Sequence, residues 1–490
     1  MVSIRSRVAG SRALGLAVFS CAATVIASCA NRTRHNDSVA ANASNNVEAS
    51  SAIRAGSVAE DAASRAAHED ATATDVDASQ TADSGASSLG LRGTGPLNVL
   101  YLTIDSLRSD ALHPRGALPA AFGEDPARFA PTLAALARRA VVYTRAYALS
   151  SYTSMSVGGM YGGRYPGELP RDGYFFGEYR PSALMLAERL SNAGVHTMGA
   201  HAHFYFRRGS SGLEQGFARW EIVPGLVRNN TTDVEVTSDR LEALCERLLS
   251  EPAVRDRPWF LHAHFMDPHD QYRPHRGSPP PVVARGSRAL YLGELWFTDQ
   301  HLARLLSFVE RQPWASRTAI IISADHGEAF GEHGHFRHGF YLWEELVRVP
   351  WMFVVPGATP RVIDVARSHI DLAPTILDLL GVPAQRDLPG ISLRDELMGA
   401  PANPRVVWVD LPQTSDNDRW RARIDGDLST IARGPNDGTF YVYDLRTDPE
   451  QRSPLARTDP RRAAAIEQYR QERGRFRDVP PDQWRPTAAR

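Results

Sequence analysis

The segment that decides the fold is Ile320-Ile-Ile-Ser-Ala-Asp-His-Gly-Glu-Ala-Phe-Gly-Glu-His-Gly-His-Phe-Arg-His-Gly339. It follows on from an apolar, β-branched run at 318–322 that is short and uniform enough to be a strand buried on both faces. Asp325 and His326 come directly after the predicted strand. Because ligands of open α/β sheets bind in the crevice outside the carboxyl ends of the strands, we expect chemistry at this position.

The rest of this segment carries many polar side chains separated by glycines. They are Glu328, Glu332, His333, His335 and His338. A buried core segment would not hold so many polar groups without partners. A solvated, histidine-rich loop is the simpler interpretation. A second carboxylate brought here from another part of the chain would instead indicate a functional site.

The composition is that of a globular protein. The chain has 490 residues, of which 43% are hydrophobic and 23% charged, so it can form a large core. Its formal net charge of -1 offers no electrostatic basis for binding nucleic acid. All 55 residues counted as lysine or arginine are arginine, which removes lysine from any mechanism. The three cysteines, Cys21, Cys29 and Cys245, are too few for a disulfide framework.

The first residues have the layout of a secretory signal. Residues 1–12 carry three arginines, and the apolar run at 13–28 is too short to span a bilayer comfortably. The run ends Ile26-Ala-Ser-Cys29, which resembles a bacterial lipobox and would make Cys29 the lipidated first residue of the mature protein. Plain secretion and a membrane anchor are the alternatives. We therefore expect the protein in the bacterial cell envelope, lipid-anchored, or secreted.

A tether is expected between this signal and the folded part of the chain. Residues 30–96 are dominated by Ala, Ser, Asp, Asn and Thr, with almost no large apolar residue. Such a segment cannot bury enough surface to offset its ordering entropy, so we expect it to be disordered. Folded sequence begins abruptly at Leu97-Asn-Val-Leu-Tyr-Leu-Thr-Ile-Asp105, a hydrophobic strand that ends in a carboxylate.

Strand and helix patterns alternate from there to about residue 399. Further strands are predicted at 141–147, 194–200, 259–266, 318–322 and 349–355, and helices at 130–140, 182–193 and 290–311. This alternation predicts an α/β fold with a mainly parallel sheet and helices on both faces. After residue 399 the pattern changes to short strands and a polar helix at 459–475, which predicts a small C-terminal antiparallel sheet with a helix.

Asp105 and the Asp325-His326 pair both follow predicted strands. A parallel sheet can bring the ends of such strands together although they are far apart in sequence. Two carboxylates and an imidazole are suitable ligands for a divalent cation such as Mg, Ca, Mn or Zn. The residues therefore predict a metal site.

Four pieces of the chain occur together in a fixed order. They are Asn98-Val-Leu-Tyr-Leu-Thr-Ile-Asp-Ser-Leu-Arg-Ser-Asp110, Gly162-Gly-Arg-Tyr-Pro166, Asp325-His-Gly-Glu with Gly331-Glu-His-Gly334, and Arg348-Val-Pro350. This set resembles the sulfatase family of the alkaline phosphatase superfamily, and the resemblance covers about residues 98 to 455. It implies that superfamily's α/β fold and an ester hydrolase or transferase.

The resemblance also points to a nucleophile. In that family the nucleophile lies eleven positions before the arginine of the second piece, here Arg164, and counting back gives Thr153. Sulfatases carry a Cys/Ser-x-Pro-x-Arg motif there, whose first residue becomes formylglycine. This chain has Thr153-Ser-Met-Ser-Val157, with neither the proline nor the arginine, and resembles the family's threonine branch of phosphoester enzymes. An ordinary helix N-cap is the alternative for Thr153.

Threonine is chemically suited to this role. A hydroxyl bound to a dication loses its proton more readily, and a helix N-terminus presents backbone N–H groups to an anionic substrate. Formylglycine hydrate expels sulfate by reforming its aldehyde, which threonine cannot do. Phosphoesters are therefore the favoured substrates, with sulfate esters as the alternative.

Sulfatases use lysines beside the substrate, and this chain has none. His338 stands where the family has a lysine or histidine, and His269 matches its Asp-Pro-His segment. Both are predicted to bind the charged group or to protonate the leaving oxygen, so they are candidate catalytic residues alongside Thr153. His264 and Arg164 are candidates for substrate binding. Structural roles are the alternative for each histidine.

The predicted function is a metal-dependent hydrolase or transferase of phosphate or sulfate esters. One divalent ion would be held by Asp105, Thr153, Asp325 and His326. The expected partners are an anionic ester (lipid, glycan or small molecule) and a membrane reached through the anchor on Cys29. The predicted divisions are a signal peptide at 1–29, a tether at 30–96, a catalytic domain at 97–400 and a C-terminal subdomain at 401–490. A non-catalytic envelope protein that binds an anionic glycan or lipid is the alternative.

Overall fold

The computed structural model describes residues 96–112, 124–226 and 235–479. The predicted signal peptide, its Cys29 and residues 30–95 of the predicted tether therefore lie outside the described residues. Within the described ranges, no helix combines the length and the apolar character needed to cross a membrane.

A nine-stranded sheet lies at the centre of the described part of the chain. Its strands are β1 (Asn98–Ile104), β2 (Val141–Tyr147), β3 (His196–His201), β4 (Arg219–Ile222), β5 (Trp259–Phe265), β6 (Thr318–Ser323), β9 (Arg348–Val354), β10 (Arg361–Ile363) and β11 (Arg367–Ser368). They lie in the order β10-β2-β9-β6-β1-β5-β3-β4, with β11 also paired to β2. Only β9 runs antiparallel to its described neighbours, β2 and β6. The prediction of a mainly parallel sheet is therefore confirmed.

Helices cover both faces of this sheet. The longer ones are Pro131–Ala137, Thr153–Gly162, Leu186–Asn192, Ser238–Leu249, Ser287–Glu310 and Leu372–Leu379, and the short ones are Pro126–Phe129, Ala253–Asp256, Glu344–Val347 and Arg394–Leu397. Successive side chains of a strand point to opposite faces, so Leu100 and Leu102 enter one core and Val99 and Tyr101 the other. The strands are apolar throughout because both faces are buried.

The ends of the elements differ slightly from the predicted ends. Strand β1 ends at Ile104, which leaves Asp105 just outside the sheet. The predicted helix at 182–193 is shorter, Leu186–Asn192, because the Glu188 carboxylate accepts the Met185 N–H at 2.8 Å and so begins the helix there.

A four-stranded antiparallel sheet follows in residues 407–444 of the described chain. Its strands are β12 (Val407–Leu411), β13 (Trp420–Asp425), β14 (Leu428–Arg433) and β15 (Thr439–Asp444), and the helix Pro460–Arg473 follows them. The predicted small sheet and helix are thus confirmed. Val409 and Trp420 pack with Trp343 and Leu346, which lie just after the histidine-rich segment. The division at residue 400 stays a prediction.

A two-stranded hairpin forms part of the histidine-rich segment itself. Its strands are β7 (Ala329–Phe330) and β8 (Phe336–Arg337), which pair antiparallel. Since β6 ends at Ser323, the hairpin starts beyond the carboxyl end of the central sheet. It carries His338 back towards Asp325 and His326.

Candidate active site

The site forms where two neighbouring parallel strands end. β1 and β6 pair in register, so Asp105 and Asp325 leave the sheet side by side. Ligand atoms of Asp105, Asp325 and His326 all lie within 4.8 Å of one another, and the three residues are fully buried. Asp105 is therefore the second carboxylate, from another part of the chain, that indicates a functional site at the histidine-rich segment.

Thr153 reaches the same place from a helix. It is the first residue of the Thr153–Gly162 helix, and its hydroxyl lies 3.2 Å from Asp105 Oδ2 and 3.0 Å from His326 Nε2. The structure thus brings together all four predicted metal ligands. Thr153 lies in the first turn of this helix, where backbone N–H groups have no partner within the helix, and such a turn favours anions.

The tautomer of His326 follows from its second ring nitrogen. His326 Nδ1 lies 2.9 Å from the Gly327 carbonyl oxygen, which can only accept, so Nδ1 carries the proton. Burial first, then the charge of His338, lowers the pKa of His326 to about 3, so the ring is neutral. Its Nε2 lone pair therefore faces the Thr153 hydroxyl and is available to a metal ion.

The two carboxylates have opposite electrostatic surroundings. Burial alone would raise the pKa of Asp105, but His269, His264 and His326 together hold it well below its ordinary value. Burial and then the Asp105 charge raise the pKa of Asp325. Among the described residues, Asp325 Oδ2 has no hydrogen-bond partner although it is buried. A buried, unpartnered carboxylate oxygen beside a second carboxylate is costly unless a cation binds there.

The donor set therefore fits a divalent metal ion. Asp105, Asp325, His326 and Thr153 offer two carboxylates, one imidazole lone pair and one hydroxyl oxygen, which suit Mg, Ca, Mn or Zn.

His338 supplies a positive charge beside this group. Burial alone would lower the pKa of His338, but the Glu328 carboxylate, 3.3 Å from Nδ1, raises it to about 9. The His338 ring lies 4.2 Å from the His326 ring and 5.0 Å from the His269 ring, measured between centroids. His269 Nδ1 donates to the Asp270 carbonyl at 2.7 Å. Both predicted catalytic histidines are therefore near Thr153.

A cavity of about 360 Å³ opens above Thr153. Its lining includes Thr153, His269, His338, Met266, His203, Asp270, Arg337 and Asp416, together with the aromatic residues Tyr152, Phe175, Phe176, Tyr205, Phe336 and Phe340. Arg337 pairs with Asp270 at 2.8 Å. Thr153, His269 and His338 therefore line one cavity, whose other lining residues are largely aromatic.

Two predicted substrate-binding residues need correction. His264 is fully buried behind Asp105, and its Nε2 lies 3.1 Å from Asp105 Oδ2, so it contacts the carboxylate rather than the cavity. Arg164 lies just beyond the far end of the Thr153–Gly162 helix, about 15 Å from Thr153 at about 1.5 Å per helical residue. Its guanidinium bonds the Asp387 carbonyl at 2.9 Å. Motif spacing located Thr153 from Arg164 without requiring Arg164 to be in the site.

Two further residues of the site, Glu328 and Ser106, had no role predicted from the sequence. Glu328 is fully buried and pairs with His338, and Ser106 donates its hydroxyl to Asp105 Oδ1 at 2.7 Å and its N–H to Asp325 Oδ1 at 3.3 Å. Ser106 does so from a left-handed backbone conformation, with φ 57°. The position of Glu328, two residues after His326, was the one sequence feature that could have indicated its place in the site. No local pattern indicates the backbone conformation of Ser106.

Comparisons with known proteins identify the family of this chain. The model of the sulfatase family matches residues 97–382, more than half of the chain. Choline-sulfatase of Rhizobium meliloti (strain 1021) is 24% identical over 377 residues, which cover 61% of this chain and 71% of that protein.

Solved structures share the fold. A sulfatase-like protein of Bacteroides thetaiotaomicron VPI-5482 superposes with a TM-score of 0.63 at 17% identity, over 80% of this chain and 97% of that one. The phosphonate monoester hydrolase of Agrobacterium radiobacter superposes with a TM-score of 0.58 at 18% identity, over 76% and 94% of the two chains. Enzymes of the sulfatase family depend on a metal ion, and the buried Asp105, Asp325 and His326 could bind one. The chain belongs to the sulfatase family and is a sulfatase-like ester hydrolase.

Proposed function

We propose that this protein cleaves phosphate esters, with Thr153 as its nucleophile and one divalent cation held by Asp105, Thr153, Asp325 and His326. Water as the acceptor makes it a hydrolase, and an alcohol makes it a transferase. The observation that carries the proposal is the position of the Thr153 hydroxyl, 3.2 Å from a carboxylate and 3.0 Å from an imidazole lone pair. An ordinary N-cap hydroxyl would bond to its own helix instead.

The residues around Thr153 have different roles in the proposed reaction. Asp105 Oδ2 and His326 Nε2 are the two acceptors that face the hydroxyl proton. A divalent ion, when bound, supplies Lewis-acid polarisation and lowers the pKa of a coordinated hydroxyl. The helix N-terminus and the His338 imidazolium balance the negative charge of the substrate.

Bond changes then follow from this placement. Thr153 Oγ1 gives its proton to Asp105 Oδ2 and forms a bond to phosphorus while the ester P–O bond breaks, and the His338 imidazolium gives its proton to the departing alcohol oxygen. In the second step the oxygen of water or of an alcohol forms a bond to phosphorus and gives its proton to His338. The bond between phosphorus and Thr153 Oγ1 breaks, and Asp105 Oδ2 returns the proton to Thr153 Oγ1. The buried Glu328 carboxylate supports His338 as an acid because it stabilises the protonated ring.

Phosphorus is favoured over sulfur for a chemical reason. Threonine lacks the second hydroxyl through which a formylglycine hydrate expels sulfate. Among the similar proteins, one is named for sulfate-ester cleavage and another for phosphonate monoesters, so both chemistries occur on this fold. Sulfate esters remain the second candidate because the family match is to sulfatases.

The walls of the cavity indicate what the organic part of the substrate is like. Phe175 stacks on Phe340 with their centroids 5.6 Å apart, and Phe176 packs edge-on against Phe175 at 5.7 Å. Phe176 and Phe340 are 41% and 42% exposed, so their faces are available to a ligand. An alcohol with an apolar or ring-shaped surface would bury them.

The decisive experiment compares substrates and one substitution. Purified protein loaded in turn with Mg, Ca, Mn or Zn is assayed on an aryl phosphate, a phosphodiester, a phosphonate monoester and a sulfate ester. We expect phosphorus esters to react faster, and Thr153→Ala to lose at least about 10³-fold in kcat. Ser154→Ala is the matched control, because the neighbouring hydroxyl bonds the Phe175 carbonyl.

Two results would contradict the proposal. Turnover that survives in Thr153→Ala removes the nucleophile assignment. Sulfate hydrolysis faster than phosphate hydrolysis in the unmodified protein removes the preference for phosphorus. A protein that binds no divalent cation and turns over none of the four substrates has another function.

A further inference from the structure

A chain of buried polar side chains runs from Asp105 into the core. His264 Nε2 lies 3.1 Å from Asp105 Oδ2, and His264 Nδ1 lies 2.7 Å from Thr103 Oγ1. Thr103 Oγ1 also lies 2.9 Å from His262 Nε2, and His262 Nδ1 bonds the Tyr161 hydroxyl. None of these side chains belongs to a residue more than 2% exposed.

The end of this chain at Asp105 has a fixed direction. An ionised Asp105 only accepts, so His264 Nε2 carries a proton and donates it to Asp105 Oδ2. The Thr103 hydroxyl lies between the two imidazoles, 2.7 Å from His264 Nδ1 and 2.9 Å from His262 Nε2, and so links the two rings. Each ring thus has a hydrogen-bond partner at both nitrogens, which fixes its orientation.

A neutral His262 is consistent with its surroundings. Burial first, then the neighbouring His264, lowers the pKa of His262 well below its ordinary value. The ring also stacks on Tyr101, with the centroids 4.7 Å apart and the planes at 18°. The ring orientation of His262 is thus held by packing as well as by two hydrogen bonds.

The same chain connects three elements of the fold. Thr103 and His264 are direct partners in the β1–β5 register, and His262 lies two residues earlier on the same face of β5. Tyr161 belongs to the helix that begins with Thr153. That helix is therefore linked to Asp105 at both ends, through the Thr153 hydroxyl at its start and through Tyr161 in its last turn.

We propose that Tyr161, His262, Thr103 and His264 are positioning residues that orient Asp105 for metal binding and hold the Thr153 helix against it. This inference rests on the proposed metal site. Buried polar groups usually find partners, so pairing alone would not distinguish these residues from ordinary core residues. What distinguishes them is an unbroken chain of hydrogen bonds that ends on a predicted metal ligand and joins it to the helix that begins with Thr153. Outer partners of this kind fix the geometry and basicity of metal ligands.

The test measures metal affinity, which does not depend on turnover. Full-length protein is stripped with a chelator, and Mn²⁺ binding is measured by titration calorimetry. Thr103→Val keeps the shape of the side chain but removes the hydroxyl that both histidines contact, so we expect Mn²⁺ affinity to fall about tenfold or more. Thr103→Ser restores the hydroxyl and is expected to bind nearly as the unmodified protein.

A matched control separates this effect from general destabilisation. Thr197 is an equally buried threonine on β3, whose hydroxyl donates to the Gly216 carbonyl at 2.8 Å and accepts from the Ala218 N–H at 3.0 Å. Thr197→Val also removes two buried hydrogen bonds, but neither leads to Asp105. We expect it to lower the melting temperature and leave Mn²⁺ affinity unchanged.

A milder variant covers the case in which Thr103→Val does not fold. Tyr161→Phe removes only the hydroxyl at the far end, and a smaller loss of Mn²⁺ affinity is expected. Tyr143→Phe, a buried tyrosine bonded to Glu396 at 3.1 Å, is its control. Unchanged affinity in a folded Thr103→Val, or in Tyr161→Phe if Thr103→Val does not fold, overturns the inference while leaving the proposed function intact. Unmodified protein that binds none of Mg²⁺, Ca²⁺, Mn²⁺ and Zn²⁺ in the same titration would overturn both.

Discussion

Asp105 and Asp325 are the same residue type in adjacent positions, yet their surroundings differ. Asp105 accepts hydrogen bonds from Ser106, Thr153 and His264, at 2.7, 3.2 and 3.1 Å. Asp325 accepts two backbone N–H groups on Oδ1, while its Oδ2 makes no hydrogen bond within the described chain. Hydrogen bonds thus orient Asp105, and Asp325 keeps one oxygen available for the proposed ion.

A second buried carboxyl, outside the site, is expected to make stability depend on pH. The Glu345 side chain is 6% exposed, and within the described chain its Oε1 makes no hydrogen bond. His333 Nε2 lies 3.7 Å from Oε1. Burial raises the pKa of Glu345 to about 8, with Arg108 opposing the rise and Glu332 and Glu344 adding to it. A carboxyl whose folded pKa lies above its unfolded value stabilises the fold when protonated, and that contribution is lost as pH rises.

Glu345→Gln tests this dependence. Between pH 5 and 8, the folded protein holds a proton on Glu345 that the unfolded chain releases, so stability falls as pH rises. The glutamine variant lacks this titration, and we expect its melting temperature to fall less over the same range, by about 2–4 °C. Glu345 and the exposed Glu450 line one small cavity, so Glu450→Gln is the control. Equal pH profiles for Glu345→Gln and the unmodified protein would refute the prediction.

The Thr153–Gly162 helix is the element that determines where the proposed nucleophile, Thr153, lies. All ten of its residues are buried, so it has contacts on every side rather than one apolar face. A Cβ on Gly158 would lie 2.1 Å from the Tyr179 ring, and Gly163 ends the helix with φ 60°. The two glycines therefore allow close packing on one side and a left-handed end on the other.

Gly158→Ala is expected to disturb this packing. The added methyl group must push Tyr179 or the helix away, which we expect to cost about 1–3 kcal/mol of unfolding free energy. Turnover should fall as well, because Thr153 moves with the helix. Denaturant unfolding and kcat measure the two effects. Gly438→Ala, where a Cβ meets nothing within 4 Å, should change neither, and a Gly158→Ala protein of normal stability would contradict the close approach.

The chain as a whole is proposed to be anchored in the bacterial cell envelope. That proposal rests on the Ile26-Ala-Ser-Cys29 ending, which falls outside the described residues. We expect the protein to take up a radiolabelled fatty acid and to sediment with membranes. Cys29→Ser should abolish both, with kcat on a soluble ester unchanged, whereas Cys21→Ser should remain anchored. Membrane sedimentation of Cys29→Ser would contradict lipid anchoring.

Sequence alone was sufficient for the class of fold, and it named the four candidate metal ligands that the structure brings together. Alternation of apolar strands with helical patterns requires a mainly parallel sheet, and Asp105 and Asp325 stand at strand ends because carboxylates cannot continue an apolar strand. Thr153 was identified from motif spacing, which is a property of the family and does not by itself predict a contact. Short strands such as β10 and β11 were not predicted, because two or three residues are too few to show a periodic pattern.

Only the tertiary structure decided what surrounds those residues. Thr103 and His262 look like ordinary strand residues, and their link to Asp105 depends on the β1–β5 register and on a tyrosine from a separate helix. His264 likewise faces the carboxylate rather than the cavity because alternate residues of a strand point to opposite faces. A sequence pattern specifies which side chains end a strand. Which partners those side chains meet depends on contacts between residues far apart in the chain, and these exist only in the folded protein.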